Sequence, residues 1–203
     1  MKEIHAMVVN PKLQPSDAVV VFADVQTGIV NLPLTVEPAR LLRSVQGLAR
    51  LAELFDLPTL ALTIPKRGGG EPEVVPQITQ VRSRYQHLQR TTPDSFENTA
   101  IRDALSATGR RTLIVCGIAT EIVVHWLTLS GIANGYRVYV VVDACAGLGE
   151  RSEAAAFRRF EAAGAVMSSV VSLAGELAGD MTQPRGRDAV EVVYQLVSET
   201  MQA

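Results

Sequence analysis

Leu113-Ile-Val-Cys-Gly-Ile-Ala-Thr-Glu-Ile-Val-Val-His125 decides the fold. A β-branched apolar run stops at Gly117, crosses a short polar turn and resumes with helical spacing. An apolar run of this length, rich in β-branched residues, reads as a strand buried on both faces. A strand that passes through a glycine turn into a helix is the building unit of a parallel α/β sheet. Turns of this layout present a nucleophile at the helix start. Here Val123 stands at the position where one is expected.

The same alternation extends in both directions. Strands are predicted at Ala18 to Ala23, Thr59 to Thr63, Thr112 to Cys116, Val138 to Val142 and Val166 to Val171. Helices are predicted over Glu37 to Phe55, Glu121 to Asn134, Ser152 to Ala163 and Asp188 to Met201, and Ala100 to Ala107 reads as the end of another, closed near Gly109. In the first of these, Leu41, Leu42, Val45, Leu48, Leu51, Ala52 and Phe55 form one apolar face. Strands alternating with helices imply right-handed crossovers and a mainly parallel sheet, covered on both sides. The expected architecture is a three-layer α/β/α sandwich with a Rossmann-like sheet. The 203 residues fit one domain with a core of about 16–180, a C-terminal helix at 188–201 and no internal repeat. Met1 to Ser16 and Gly179 to Arg187 read as peripheral arms.

Hydrophobic residues are 47% of the chain, charged residues 20%, and the formal net charge is -2. That balance excludes a disordered chain and a basic nucleic-acid binder. The apolar runs are too short to span a bilayer, and Met1 to His5 has no signal-peptide core, so a cytoplasmic protein is expected. Cys116 and Cys145 sit in apolar runs and read as small buried hydrophobes. No ligand spacing implies a metal, and no cofactor is expected. Gly68-Gly-Gly70 lacks the rest of a phosphate loop. His125 reads as a satisfied helical histidine, and Asp143 as a carboxylate capping backbone donors in a turn.

In open parallel sheets, sites gather beyond the carboxyl ends of the strands. That places Asp24 and the Gly117 turn together. A carboxylate at the tip of a buried strand is costly unless paired or used. Capping of the following segment is the alternative reading.

Five segments now form an ordered set. Phe22-Ala-Asp24-Val-Gln26 resembles an Asp-x-Gln strand end. Arg90-Thr-Thr-Pro-Asp-Ser-Phe96 resembles Lys-x-x-x-Ser-Ala-Phe. Gly117-Ile-Ala-Thr-Glu-Ile-Val123 resembles Gly-Val-Ala-Thr-Asp-x-Cys. Val142-Asp-Ala-Cys145 and Phe157-Arg-Arg-Phe-Glu-Ala-Ala-Gly-Ala165 complete it. Together they resemble the isochorismatase-like hydrolase superfamily, which includes nicotinamidases and other cysteine amidohydrolases.

The resemblance implies an Asp–Lys–Cys triad. The Asp takes the thiol proton, the Lys favours thiolate, and the thiolate attacks a carbonyl. Backbone N–H groups beside a cis peptide, here Ile118–Ala119, with Thr120 in the same turn, bind the oxyanion. By this alignment Asp24 keeps its type, Arg90 replaces lysine and Val123 replaces cysteine. Gln26, Phe96 and Trp126 are expected around the pocket. The chain's lysines are Lys2, Lys12 and Lys66, of which Lys66 could reach the site from its loop.

Valine forms no covalent intermediate. One expectation is therefore a homologue inactive as an amidohydrolase and retained for small-molecule binding or assembly. The other is a non-covalent hydrolase in which Asp24 transfers a proton to a vinyl ether, as in the isochorismatase branch. If Arg90 pairs closely with Asp24, the cation is expected to hold the acid ionised, making it a poor proton donor. A small-molecule partner and a homo-oligomer are expected, with neither nucleic acid nor membrane.

Overall fold

The computed structural model describes residues 12–200. Its sheet has six strands, all parallel: β1 (Ala18–Ala23), β2 (Thr59–Thr63), β3 (Gln86–Gln89), β4 (Thr112–Ile118), β5 (Arg137–Ala146) and β6 (Val166–Ser168). Their spatial order is β3-β2-β1-β4-β5-β6. The chain first winds from β1 towards β3, then crosses to β4 and winds the other way. The reversal lies between β1 and β4, where Ala23 pairs with Gly117. It leaves a crevice outside the carboxyl ends of those two strands.

The helices cover the sheet as their apolar faces require. α1 (Pro38–Leu54) starts on a proline, with the Glu37 side chain accepting from Arg40 N at 3.1 Å. Its Leu41, Val45, Leu48 and Leu51 are buried, each burial contributing about 1.5–3 kcal/mol. α1 packs with α6 (Val170–Ala178) and α7 (Pro184–Thr200). α4 (His125–Ala133) and α5 (Glu150–Ala162) pack on each other, α4 against β4 and β5, and α5 against β6. α2 (Pro76–Thr79) is a single turn against α1, and α3 (Thr99–Ala107) is capped by Asn98.

Four sequence expectations are corrected. β3 is absent from the predicted strands because Gln86-His-Leu-Gln89 lies at the sheet edge, mostly exposed, and needs no apolar run. The strand expected over Val166 to Val171 stops at Ser168, because the Ser169 side chain caps α6 by accepting from Ser172 N at 3.1 Å. Asp143 lies inside β5, which runs on to Ala146. It still accepts from a backbone donor, Val170 N at 3.0 Å, but at the start of α6 and not in a local turn. The arm expected over Gly179 to Arg187 becomes α7 from Pro184. Met201, the expected end of that helix, and most of the N-terminal arm, Lys2 included, lie outside the described residues.

Candidate active site

Gly117 sets the geometry of the crevice. Its φ is +149°, and an added Cβ would lie 2.0 Å from the Ala23 carbonyl oxygen. Only glycine lets β4 pass β1 this closely. The next peptide, Ile118–Ala119, is cis. The chain then makes one π-helical turn, Thr120–Val124, before α4. The uniform helix expected from Glu121 is therefore two helical segments of different winding. The turn is tied down on its far side. Thr120 Oγ1 donates to Glu153 Oε1 at 2.7 Å. Glu121 Oε1 accepts from Leu148 N at 2.9 Å and Ser152 Oγ at 2.8 Å.

Opposite this turn, Asp24 ends β1 in the left-handed region, at φ +56°. Aspartate tolerates that conformation better than most residues. Two residues on, the Gln26 carboxamide clamps the end of β2. Its Nε2 donates to Ile64 O at 3.0 Å and its Oε1 accepts from Ile64 N at 2.9 Å. Arg90 follows β3 and hangs from β2 through its own N–H, which donates to Thr63 O at 2.9 Å.

Asp24 is 3% exposed and Arg90 4%. Arg90 Nη2 donates to Asp24 Oδ2, and Arg90 Nη1 donates to Thr92 O. Asp24 Oδ1 and Arg90 Nε have no protein partner. Burial raises the Asp24 carboxyl and the Arg90 cation lowers it. Burial prevails, and Asp24 is pushed up from 3.8 to about 6. The expectation that pairing with Arg90 would hold Asp24 firmly ionised is thereby corrected. The desolvation of a carboxylate at the closed end of a strand outweighs one cation.

Asp24 and Arg90 stand at the base of a cleft of about 310 Å³. Thr91, Thr92 and Pro93 line one side, Ile118, Ala119 and Ile122 the other, and Ile29, Leu32, Ile64 and Leu148 complete an aliphatic wall. No thiol and no aromatic ring is among these residues. Val123, within the turn, is 0% exposed and is not among the lining residues, whereas its neighbour Ile122 is.

The other sequence candidates lie elsewhere. Phe96 is buried against Tyr136, with ring centroids 5.9 Å apart. Trp126 is instead 42% exposed, its ring edge against His125. Neither is among the residues that line the cleft. Lys66 pairs with Glu73 at 3.2 Å and does not line the cleft. Cys116 and Cys145 are buried, and burial pushes their thiols up, Cys145 to about 12. Ile29, Leu32 and Leu148 gave no sequence signal, because isolated apolar residues in loops carry no period.

A family profile described as an isochorismatase domain matches residues 18–172. The chain belongs to the isochorismatase family. It is 32% identical to the probable hydrolase YcaC of Escherichia coli over 170 residues, 83% of this chain and 81% of that protein. It is 27% identical to isochorismatase domain-containing protein 2 of Bos taurus over 148 residues, 72% of this chain and 69% of that protein. Among solved structures it resembles YcaC from Pseudomonas aeruginosa, solved with hexane-2,5-diol and covalent acrylamide. That match has a TM-score of 0.83 at 27% identity and covers 95% of this chain and 98% of the other. The YcaC gene product of Escherichia coli, an octameric hydrolase of unknown specificity, matches with a TM-score of 0.82 at 27% identity. The match covers 96% of this chain and all of that one (100%). In this isochorismatase-family fold, no described helix is long and apolar enough to cross a membrane. The described residues contain no group of three or more His, Cys, Asp or Glu side chains placed to hold a metal ion.

Proposed function

We propose that this isochorismatase-family chain binds a small molecule in the cleft between β1 and β4 and performs no thiol-covalent amide hydrolysis. The reading rests on Val123, which takes the alignment position of the family's cysteine, and on a cleft whose lining residues include no thiol. A valine side chain has no lone pair with which to attack a carbonyl. Arg90 replaces the family's lysine and spends its charge on Asp24.

The relative from Pseudomonas aeruginosa supplies a direct contrast, because it carries covalent acrylamide. Acrylamide adds to nucleophiles. Native protein incubated with acrylamide and digested for mass spectrometry is expected to show no adduct on any residue lining the cleft. An adduct there overturns the reading.

A second reading has one observation in its favour, the Asp24 carboxyl at about 6. An acid so placed exchanges its proton near neutrality and could protonate a vinyl ether without a covalent intermediate. Its rate on a vinyl ether is expected to fall as pH rises through about 6 and to vanish in Asp24→Ala. Identical rates for the two proteins on every substrate remove this reading.

Self-association also belongs to the proposal. One relative is an octamer, and Leu32, Trp126, Leu148 and Tyr194 are exposed apolar side chains here. A monomer by light scattering at micromolar concentration would refute it.

A further inference from the structure

A second cavity, of about 280 Å³, lies among α1, β5, α6 and α7 and shares no lining residue with the cleft. Arg40 and Arg43 of α1 line it. They stand three residues apart, so they share one face of the helix, with Cβ atoms about 5–6 Å apart. Arg40 is exposed and Arg43 half-buried, so both are within reach of a dissolved ligand. Neither makes an ion pair with a described residue. Nor does their placement serve the helix. Cations near a helix start oppose its dipole, and like charges one turn apart repel.

Asp143 lines the same cavity. Burial raises its carboxyl, while the Val170 N–H and the Arg40 cation lower it. Arg40 therefore acts on Asp143 from a distance, without pairing with it. Two cations against one carboxylate leave the cavity with a single positive charge in excess. The rest of its wall is mainly aliphatic, from Val171, Leu196 and Val197. Gly47 lies one turn beyond Arg43 on α1, and a Cβ there would be 3.1 Å from Val170 Cγ1 and 3.2 Å from Leu196 Cδ1. The missing side chain lets Leu196 seat on α1 beside the arginines.

We propose that this cavity is a binding site for a short aliphatic monocarboxylate, its carboxylate held by Arg40 and Arg43 and its chain laid on Val171, Leu196 and Val197. The planar guanidinium fork matches the two oxygens of a carboxylate. One negative charge balances the excess positive charge. A phosphate dianion would exceed it and meet Asp143. A neutral amide would leave both cations unmet, and an ammonium would be repelled by them.

The test uses the full chain and three probes at equal ionic strength: sodium pentanoate, pentanamide and inorganic phosphate. Binding is read by isothermal titration calorimetry. Pentanoate is expected to bind about tenfold more tightly than either other probe. Arg40→Gln and Arg43→Gln each remove one cation and keep a good helix former. Each is expected to weaken pentanoate by about tenfold and to leave pentanamide unchanged. Val171→Glu, at a side chain 42% exposed and therefore tolerant of charge, is expected to weaken pentanoate by adding an anion to the wall. Ile122→Glu, in the separate cleft, is expected to leave it unchanged.

Pentanamide or phosphate binding as tightly as pentanoate overturns the proposal, as does a chain that binds no pentanoate. Undiminished binding to both glutamine variants also overturns it. So does a loss of binding in Ile122→Glu alone, which would place the ligand in the cleft. The comparison of probes on the unaltered chain decides the matter even where a variant fails to fold.

Discussion

Asp24→Asn, followed through pH, tests whether burial or the Arg90 cation governs this site. Asp24 is pushed up from 3.8 to about 6. A raised carboxyl means that the native state holds its proton more tightly than the unfolded chain. Its contribution to stability is fully present below about 4 and is lost as pH rises through about 6. The full span is about 3 kcal/mol, from roughly two units at 1.36 kcal/mol each, and about 2 kcal/mol of it falls between about pH 4.5 and 7.5. Asparagine has nearly the same shape, can still accept from Arg90 and does not titrate. Urea denaturation of both proteins across that range, with the difference taken at each pH, cancels the titration of groups common to both. Wild type is expected to lose about 2 kcal/mol relative to Asp24→Asn as pH rises. A flat difference would mean that burial and the cation cancel. A difference that grows in favour of wild type would mean that Arg90 dominates, and the desolvation argument would fall.

Two further substitutions probe the turn. Gly117→Ala places a Cβ 2.0 Å from the Ala23 carbonyl oxygen, where neither backbone can yield without parting β1 from β4. A loss of more than about 4 kcal/mol is expected, read as insoluble protein or a much lower urea midpoint. Near-normal stability would show that the strands tolerate separation. Under the proposed reading, Val123→Cys combined with Arg90→Lys would supply an Asp–Lys–Cys set around Asp24. The new thiol is expected to react with iodoacetamide at neutral pH faster than Cys116 or Cys145, whose thiols burial pushes up. Equal labelling of all three, read by peptide mass spectrometry, would show that the site no longer supports a thiolate.

The layering of this protein was legible from local patterns. β1, β2 and β4 are continuous apolar runs because both of their faces are buried, and α1 shows a helical stripe because only one of its faces is. β3 was not legible, since an edge strand can be polar. The start of α6 was hidden because Val170 and Val171 continue the apolar character of β6, and Ser169 alone marks the boundary.

The candidate site divides along the same line. Chain order and residue type singled out Asp24, Arg90 and the Gly117 turn, each in a short segment with a characteristic spacing, and the fold brings Asp24, Arg90, Ile118 and Ala119 to one cleft. Whether Asp24 would be ionised was not contained in those segments. It depends on how completely six strands and their loops exclude water from one carboxylate, against the field of one guanidinium that arrives from a segment 66 residues away. The identity of the cleft wall was likewise decided only by folding, which gathers Ile29, Ile64, Ile122 and Leu148 from four separate loops and turns. Desolvation and the meeting of distant surfaces are properties of the packed chain. No window of sequence carries them.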